Sequence, residues 1–268
     1  MSDFTGNHIL SVNQFDREAI EKVFSVADSM QPYAKRQKRT TVLEGAILGN
    51  LFFEPSTRTR VSFGTAFNLL GGEVRETTGM ASSALAKGES LYDTARVLSG
   101  YSDIIAMRHP AAGSVAEFAE GSRVPVINGG DGANEHPTQA LLDLFTIKRE
   151  LEYHGHGIDG LHIAMIGDLR YGKYRGKFRL NHSIYTRHFQ SKTVIMHPLP
   201  RDSRIEANEL DNDLNLNPNL AIFRQTDNGV LVRMALFALT LGVEELLTKY
   251  EREVVWFSNK SNELHAKI

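Results

Sequence analysis

The run Ser56-Thr57-Arg58-Thr59-Arg60 puts three hydroxyls and two guanidinium groups in five residues, directly after the apolar Ala46 to Phe53. If the apolar run is a strand and the hydroxyl-rich stretch opens a helix, the chemistry is anion binding. The first turn of a helix has unsatisfied N–H groups and the positive end of the dipole, and Ser, Thr and Arg side chains reinforce both. The plainer alternative is a Ser N-cap followed by a solvated basic turn. For an isolated Ser-Thr-Arg that alternative would win. Here the cradle follows a strand, and α/β sheets bind ligands at the carboxyl ends of their strands.

Three further stretches have the same character. Met107-Arg108-His109-Pro110 and His197-Pro198-Leu199-Pro200-Arg201 each follow an apolar run. Gly129-Gly130-Asp131-Gly132-Ala133-Asn134-Glu135-His136-Pro137-Thr138-Gln139 runs from a strand pattern into a helix pattern. Singly, Arg108 could form a surface ion pair, His136 could be an ordinary helix-start residue, and the paired prolines could make a rigid turn. Four such stretches at strand ends of one chain are hard to ascribe to coincidence.

The elements that must position them are short apolar runs alternating with helical patterns. Ala46–Phe53, Asp103–Met107 and Val124–Asn128 read as buried parallel strands. Phe63, Ala66, Phe67 and Leu70 have helical spacing, stopped by Gly71-Gly72. Pro137 suits a helix N1 position, and Ala140, Leu141, Leu144, Phe145 and Lys148 mark one face of the helix it opens. A second unit begins near Leu161, with strands expected over His162–Asp168 and Thr193–Met196. Between them Arg170 to Gln190 is polar and basic, without an apolar helical face. This unit is under-built, because a doubly wound domain needs several βαβ units. Leu231, Met234, Ala235, Ala238, Leu239 and Leu241 predict a helix within 230–247, and the tail 249–268 holds one apolar cluster, Val254-Val255-Trp256-Phe257. The fold class expected is α/β, with two doubly wound parallel-sheet domains over 1–150 and 151–228, and a C-terminal helix and tail, 229–268, packing back on the first.

Composition narrows the function classes. The 268 residues carry a net charge of −2, with no concentrated basic run, which argues against a nucleic-acid partner. No apolar run approaches the ~20 residues of a membrane span, and the N-terminus reads as no signal peptide. The absence of cysteine excludes disulfides and a Cys nucleophile and suits a cytoplasmic setting. The ten histidines show no metal-ligand spacing, so no metal is expected.

Taken together and in order, the Ser56–Arg60, His136–Gln139 and His197–Arg201 runs resemble the carbamoyltransferase family over nearly the whole chain. The ornithine branch carries His-Cys-Leu-Pro where this chain has His197-Pro198-Leu199-Pro200, so the resemblance is to the aspartate branch. Ser82 to Glu89 is similar to that branch's mobile loop, in which Ser83 and Lys87 would serve a neighbouring subunit's site. The resemblance implies a homotrimer with shared sites, substrates carbamoyl phosphate and L-aspartate, and no cofactor. Ser56, Thr57, Arg58 and Thr59 would hold the phosphate. Thr59, Arg108 and His136 would contact the carbamoyl oxygen, and Gln139 the carbamoyl nitrogen. The Leu199 carbonyl, held by a cis Leu199–Pro200 bond, would orient amino and amide groups, and Arg233 would serve aspartate. The zinc-binding regulatory partner of some members would be a separate chain.

One departure stands out. After Gly172 the chain runs into a segment similar to one much further on in the family, as if on the order of 60–80 residues were absent. The block would include an arginine and an Arg-x-Gln loop for the aspartate carboxylates, and Lys173 cannot reproduce a bidentate arginine contact. If the block is truly missing, little aspartate turnover is expected. Two other readings then stay open: transfer to another amino acceptor, and a catalytically silent subunit that binds carbamoyl phosphate. The good match on both sides of the junction favours an omission over a natural or engineered deletion. An intact mass of 29.9 kDa would establish a true deletion.

Overall fold

The computed structural model describes residues 3–78, 88–164, 179–202, 204 and 208–261. They fall into two compact units, one within Met1–Leu142 and Gly229–His265, the other within Asp143–Asn228.

The first unit is built on a parallel sheet of β2 (Ile47–Phe52), β3 (Glu73–Thr78), β4 (Ile104–His109) and β5 (Val126–Asp131), in the order β3-β2-β4-β5. β2, β4 and β5 are buried along nearly their whole length, as their apolar sequences require. β3, Glu-Val-Arg-Glu-Thr-Thr, is too polar to be read as a strand from its sequence. It lies on the sheet edge, where charged side chains face water. Beyond β5 the sheet gains a bridge: Ile9 pairs parallel with Ile127, donating from its N–H to the Val126 carbonyl at 2.8 Å.

Helices α1 (Arg17–Ser29), α2 (Gln31–Ala34), α3 (Thr57–Leu69), α4 (Leu91–Leu98) and α5 (Ser114–Gly121) belong to this unit. Phe63, Ala66, Phe67 and Leu70 are fully buried, as their spacing predicts, and Gly71 ends the turn with φ +95°. Phe63 and Phe67 meet Phe237 edge-on, with centroids 5.9 and 5.0 Å apart. Phe237 belongs to α8 (Ile222–Thr240), which begins earlier and ends earlier than the apolar pattern suggested. On the other side of the sheet Leu51, Ile105, Met107, Val115, Phe118 and Val126 form one apolar cluster. The tail supplies a short strand, β6 (Glu251–Glu253), antiparallel to β1 (Lys38–Thr40), leaving Val255 and Phe257 exposed.

α6 (Pro137–Tyr153) starts at Pro137 as expected. Its buried positions are Pro137, Thr138, Leu141, Leu142, Phe145, Thr146 and Glu150, while Leu144 is exposed. The buried stripe therefore lies one position off the face assigned from sequence, because Leu142 and Thr146 take the inward places.

In the second unit α7 (His182–His188) packs Tyr185 with Ile195, Leu210, Leu214, Leu220 and Ile222. The Tyr185 hydroxyl donates to the Thr193 carbonyl at 2.8 Å and accepts from Asn219 Nδ2 at 2.8 Å. No strand of this unit is found among the described residues. Two isolated parallel bridges, Leu180 with Leu210 and Ile195 with Leu220, are what pairing there is. Among the described residues, the strand expected over Thr193–Met196 is reduced to the Ile195 bridge with Leu220, its one partner there. His162–Ala164 are exposed and not in a strand, and the rest of that expected strand lies outside the described residues. The α/β class holds. Among the described residues no helix is long and apolar enough to cross a membrane.

Candidate active site

The order β3-β2-β4-β5 reverses direction between β2 and β4, since the chain steps from β2 to one side and then crosses to the other. Open α/β sheets bind ligands at such a switch point, outside the carboxyl ends of the strands. Register fixes what gathers there. Phe52, the last residue of β2, is level with Arg108 of β4, and His109 is level with Asp131, the last residue of β5. The segments that follow β2 and β5 therefore leave from the edge where β4 ends with Arg108 and His109. These are 53–56, leading into α3, and 132–136, leading into α6.

Ser56 is the N-cap of α3, and its side chain makes no capping hydrogen bond. Three other α-helices have such caps: Asp16 accepts from Ala19 N–H, Ser90 from Asp93 N–H, and Asn181 from Ile184 N–H. With no bond from Ser56, the first-turn amides of α3 lack a side-chain cap, and uncapped helix starts are a place where anions can bind. Thr57 and Arg58 are exposed, and Ser56, Thr59 and Arg60 are partly buried. Arg60 is 3.7 Å from Glu76, and its carbonyl accepts from the buried Asn50 side chain.

Arg108 and His136 close on one point. Gly130, with φ +119°, passes so near both that a Cβ there would lie 3.2 Å from Arg108 Nη1 and 3.4 Å from His136 Cδ2. Only a glycine can adopt this backbone and leave the space. Arg108 is also paired with Glu54 at 3.2 Å, and its Nε is buried without a hydrogen-bond partner. His136 is held neutral: burial first, then the Arg233 and Arg108 charges, push its pKa down to about 3, against the opposing pull of Asp131. A neutral imidazole beside two guanidinium groups can donate a hydrogen bond without adding charge. Arg233 is buried on α8, donates from Nη1 to Ser62 Oγ at 2.9 Å and lies 4.9 Å over the Phe63 ring. Gln139 is partly buried in the first turn of α6.

In the second unit Leu199–Pro200 is cis, as expected, and Leu199 has φ +56°. The turn is tied down by side chains that the sequence reading did not single out. Leu199 N–H donates to His197 Nδ1 at 2.9 Å, so His197 carries its proton on Nε2, 3.1 Å from Glu209 Oε1. His197 N–H donates to Gln225 Oε1 at 3.0 Å, and Gln225 Nε2 donates to Asp143 at 2.6 Å. Gln225 and Glu209 carry no motif of their own, and only the folded chain brings them to the turn. Gly130 had a weak signal, since it lies inside a motif stretch, and Glu54 lies just before one. Ser83, Lys87 and the Gly172–Lys173 junction lie outside the described residues; the strand leading towards Ser83 ends with Thr78 level with Phe52, at the same sheet edge.

An uncapped basic helix start at the switch point of a parallel sheet, flanked by convergent guanidinium and neutral imidazole groups, defines an α/β enzyme for a phosphate-bearing substrate. The comparisons with known proteins agree. Residues 7–149 match the family model "Aspartate/ornithine carbamoyltransferase, carbamoyl-P binding domain", and residues 161–240 match "Aspartate/ornithine carbamoyltransferase, Asp/Orn binding domain". The chain belongs to the aspartate/ornithine carbamoyltransferase family.

It is 59% identical to the aspartate carbamoyltransferase catalytic subunit of Cellvibrio japonicus over 333 aligned positions, covering 96% of this chain and 98% of the relative. It is 57% identical to that of Saccharophagus degradans, covering 96% and 99%. Among solved structures, aspartate transcarbamoylase from Trypanosoma cruzi in complex with carbamoyl phosphate and aspartate matches with a TM-score of 0.78 at 30% identity, covering 89% of this chain and 97% of that one. The first alignment is longer than this chain: at least 65 of its positions, 333 less 268, stand opposite gaps here.

Proposed function

We propose that this chain transfers the carbamoyl group of carbamoyl phosphate to the amine of L-aspartate, giving N-carbamoyl-L-aspartate and phosphate. The observation that carries the reading is the meeting of the uncapped α3 start, Arg108 and His136 at one sheet edge. The phosphate is held by the first-turn amides and side chains of Ser56, Thr57, Arg58 and Thr59. Thr59, Arg108 and His136 donate to the carbamoyl oxygen, and Gln139 meets the carbamoyl nitrogen.

The aspartate amine attacks the carbamoyl carbon, and the oxygen of the tetrahedral intermediate gains negative charge. Donors already aimed at that oxygen supply about 3–4 kcal/mol each. The C–O bond to phosphate then breaks. The departing phosphate takes the amine proton, so neither a protein base nor a covalent intermediate is needed. Because His136 is neutral, it acts as a hydrogen-bond donor and not as a cation. The Leu199 carbonyl orients the amino and amide groups of the substrates, and Arg233 serves aspartate; both roles rest on the family resemblance.

The acceptor assignment is supported by relatives named for aspartate and by the Trypanosoma cruzi structure that holds carbamoyl phosphate and aspartate. The working unit is a homotrimer in which Ser83 and Lys87 complete a neighbour's site, the regulatory partner, where there is one, is a separate chain, and the setting is cytoplasmic. If the positions opposite gaps are a block truly missing after Gly172, little or no aspartate turnover is expected, because the carboxylate-binding arginine and the Arg-x-Gln loop would be gone. Incubation with labelled carbamoyl phosphate and either acceptor tests this. Label should enter carbamoyl-aspartate and not carbamoyl-ornithine. Preference for ornithine overturns the reading, and so does no product with either acceptor from a chain whose intact mass exceeds 29.9 kDa by several kilodaltons.

A further inference from the structure

Asp131 ends β5 and is 2% exposed, far more enclosed than an aspartate in a polar, glycine-rich loop would ordinarily be. Its four side-chain hydrogen bonds come from Glu135, Asn128, Gly113 and Asn134, none of them a residue assigned to substrate. Its Oδ1 accepts from Glu135 N–H at 2.7 Å and from Asn128 Nδ2 at 3.4 Å, and its Oδ2 from Gly113 N–H at 2.9 Å and Asn134 Nδ2 at 3.0 Å. Burial alone would raise its pKa, but these four donors outweigh that and hold it below the usual carboxylate range.

The donors come from both sides of the site. Gly113 closes the turn that follows Arg108-His109-Pro110, whereas Asn134 and Glu135 belong to the loop that delivers His136. The backbone adds to the same knot: Gly132 N–H donates to the His109 carbonyl at 2.9 Å, and Asp131 N–H to the Glu135 carbonyl at 3.1 Å. The far end of the loop is pinned independently, since Ser11 Oγ donates to Glu135 Oε1 at 2.8 Å. Gly130, the residue just before Asp131, is the one squeezed between Arg108 and His136.

We propose that Asp131 is the positioning residue of the carbamoyl-oxygen donors: one buried carboxylate clamps the loops after β4 and β5, and so sets the spacing of Arg108 and His136. A preorganised donor pair loses its effect when its support loosens, even with both donors present. The phosphate cradle is built on α3 and does not depend on this clamp. The proposal rests on the site assignment above and separates two ligands that share a phosphate. Carbamoyl phosphate uses both the cradle and the donor pair; inorganic phosphate uses the cradle alone.

The experiment is calorimetric titration of both ligands into wild type, Asp131→Asn and Asn134→Ala, with thermal melts alongside. Asp131→Asn keeps the volume but removes the charge and turns one acceptor into a donor facing other donors. It should weaken carbamoyl phosphate roughly tenfold, the effect of losing about one charge-assisted bond, while phosphate affinity stays within about twofold. Asn134→Ala removes one of the four donors from an exposed position; it should give a smaller loss in the same direction, and it carries the test if Asp131→Asn does not fold. A fall in melting temperature with an unchanged ratio of the two affinities would mean that Asp131 only stabilises the fold, and would overturn the proposal. Equal weakening of both ligands would overturn it too. Failure of wild type to bind phosphate at all would sink the site assignment, and this inference with it.

Discussion

At pH 5, where an ordinary histidine is charged, His136 should still be neutral. Its pKa is pushed down to about 3 by burial and by Arg233 and Arg108, against a usual value near 6.5 in the unfolded chain. The sign follows from linkage. Between these values the unfolded chain binds a proton that the native protein does not, so the contribution is fully present above pH 6.5 and is lost as pH falls towards 3. From pH 7 to pH 5 this single group should cost about 2 kcal/mol of stability. Urea unfolding of wild type and His136→Gln at the two pH values isolates it, because every other titrating group is common to both proteins. Wild type should lose about 2 kcal/mol more than the variant. Proton NMR of the imidazole should show no titration between pH 5 and 8. Replacing Arg108 by Gln should raise the His136 pKa. An imidazole that titrates near pH 6.5, or equal losses in the two proteins, would refute the picture of a neutral donor compressed between two guanidinium groups.

Three further outcomes are expected. Gly132→Ala places a Cβ 2.3 Å from the Pro110 carbonyl at φ +62°, and should cost on the order of 1–3 kcal/mol in a denaturant melt. Gln225 is buried and bridges His197 N–H to Asp143, so Gln225→Leu should destabilise by about 1–3 kcal/mol and impair transfer; unchanged melting and kinetics would remove the Gln225 bridge from the account. Arg58→Ala and Lys87→Ala chains should each bind a phosphonate bisubstrate analogue weakly, yet tight binding should return at a fraction of sites when the two are dissociated and remixed. Mixed oligomers without recovery would rule out a site shared between subunits.

The sequence was most informative where one residue type has one physical use. The apolar strands β2, β4 and β5, the Phe63–Leu70 face and the Pro137 helix start were legible because burial on both faces, 3.6-residue spacing and a missing N–H leave few alternatives. The helix start at Ser56–Thr57 was legible because Ser, Thr and Arg crowd a strand-to-helix turn. What could not be read were effects that depend on neighbours distant in sequence. Edge strand β3 is polar, and its pairing with β2 is a property of the sheet. Gln225 meets His197 from 28 residues away, and Glu209 reaches the same turn. Asp131 looked like one polar residue among loop glycines until the fold brought Gly113 to it. In the second unit the described residues hold only bridges.

The central claim is that the start of α3 holds the phosphate of carbamoyl phosphate. Calorimetric titration of carbamoyl phosphate into wild type and Arg58→Ala tests it most directly. Wild type should bind one carbamoyl phosphate per chain, inorganic phosphate should compete, and the variant should bind roughly 10- to 150-fold more weakly, the equivalent of one charge-assisted contact of about 1.5–3 kcal/mol. Equal affinities for the two proteins, or binding that phosphate fails to displace, would contradict the claim.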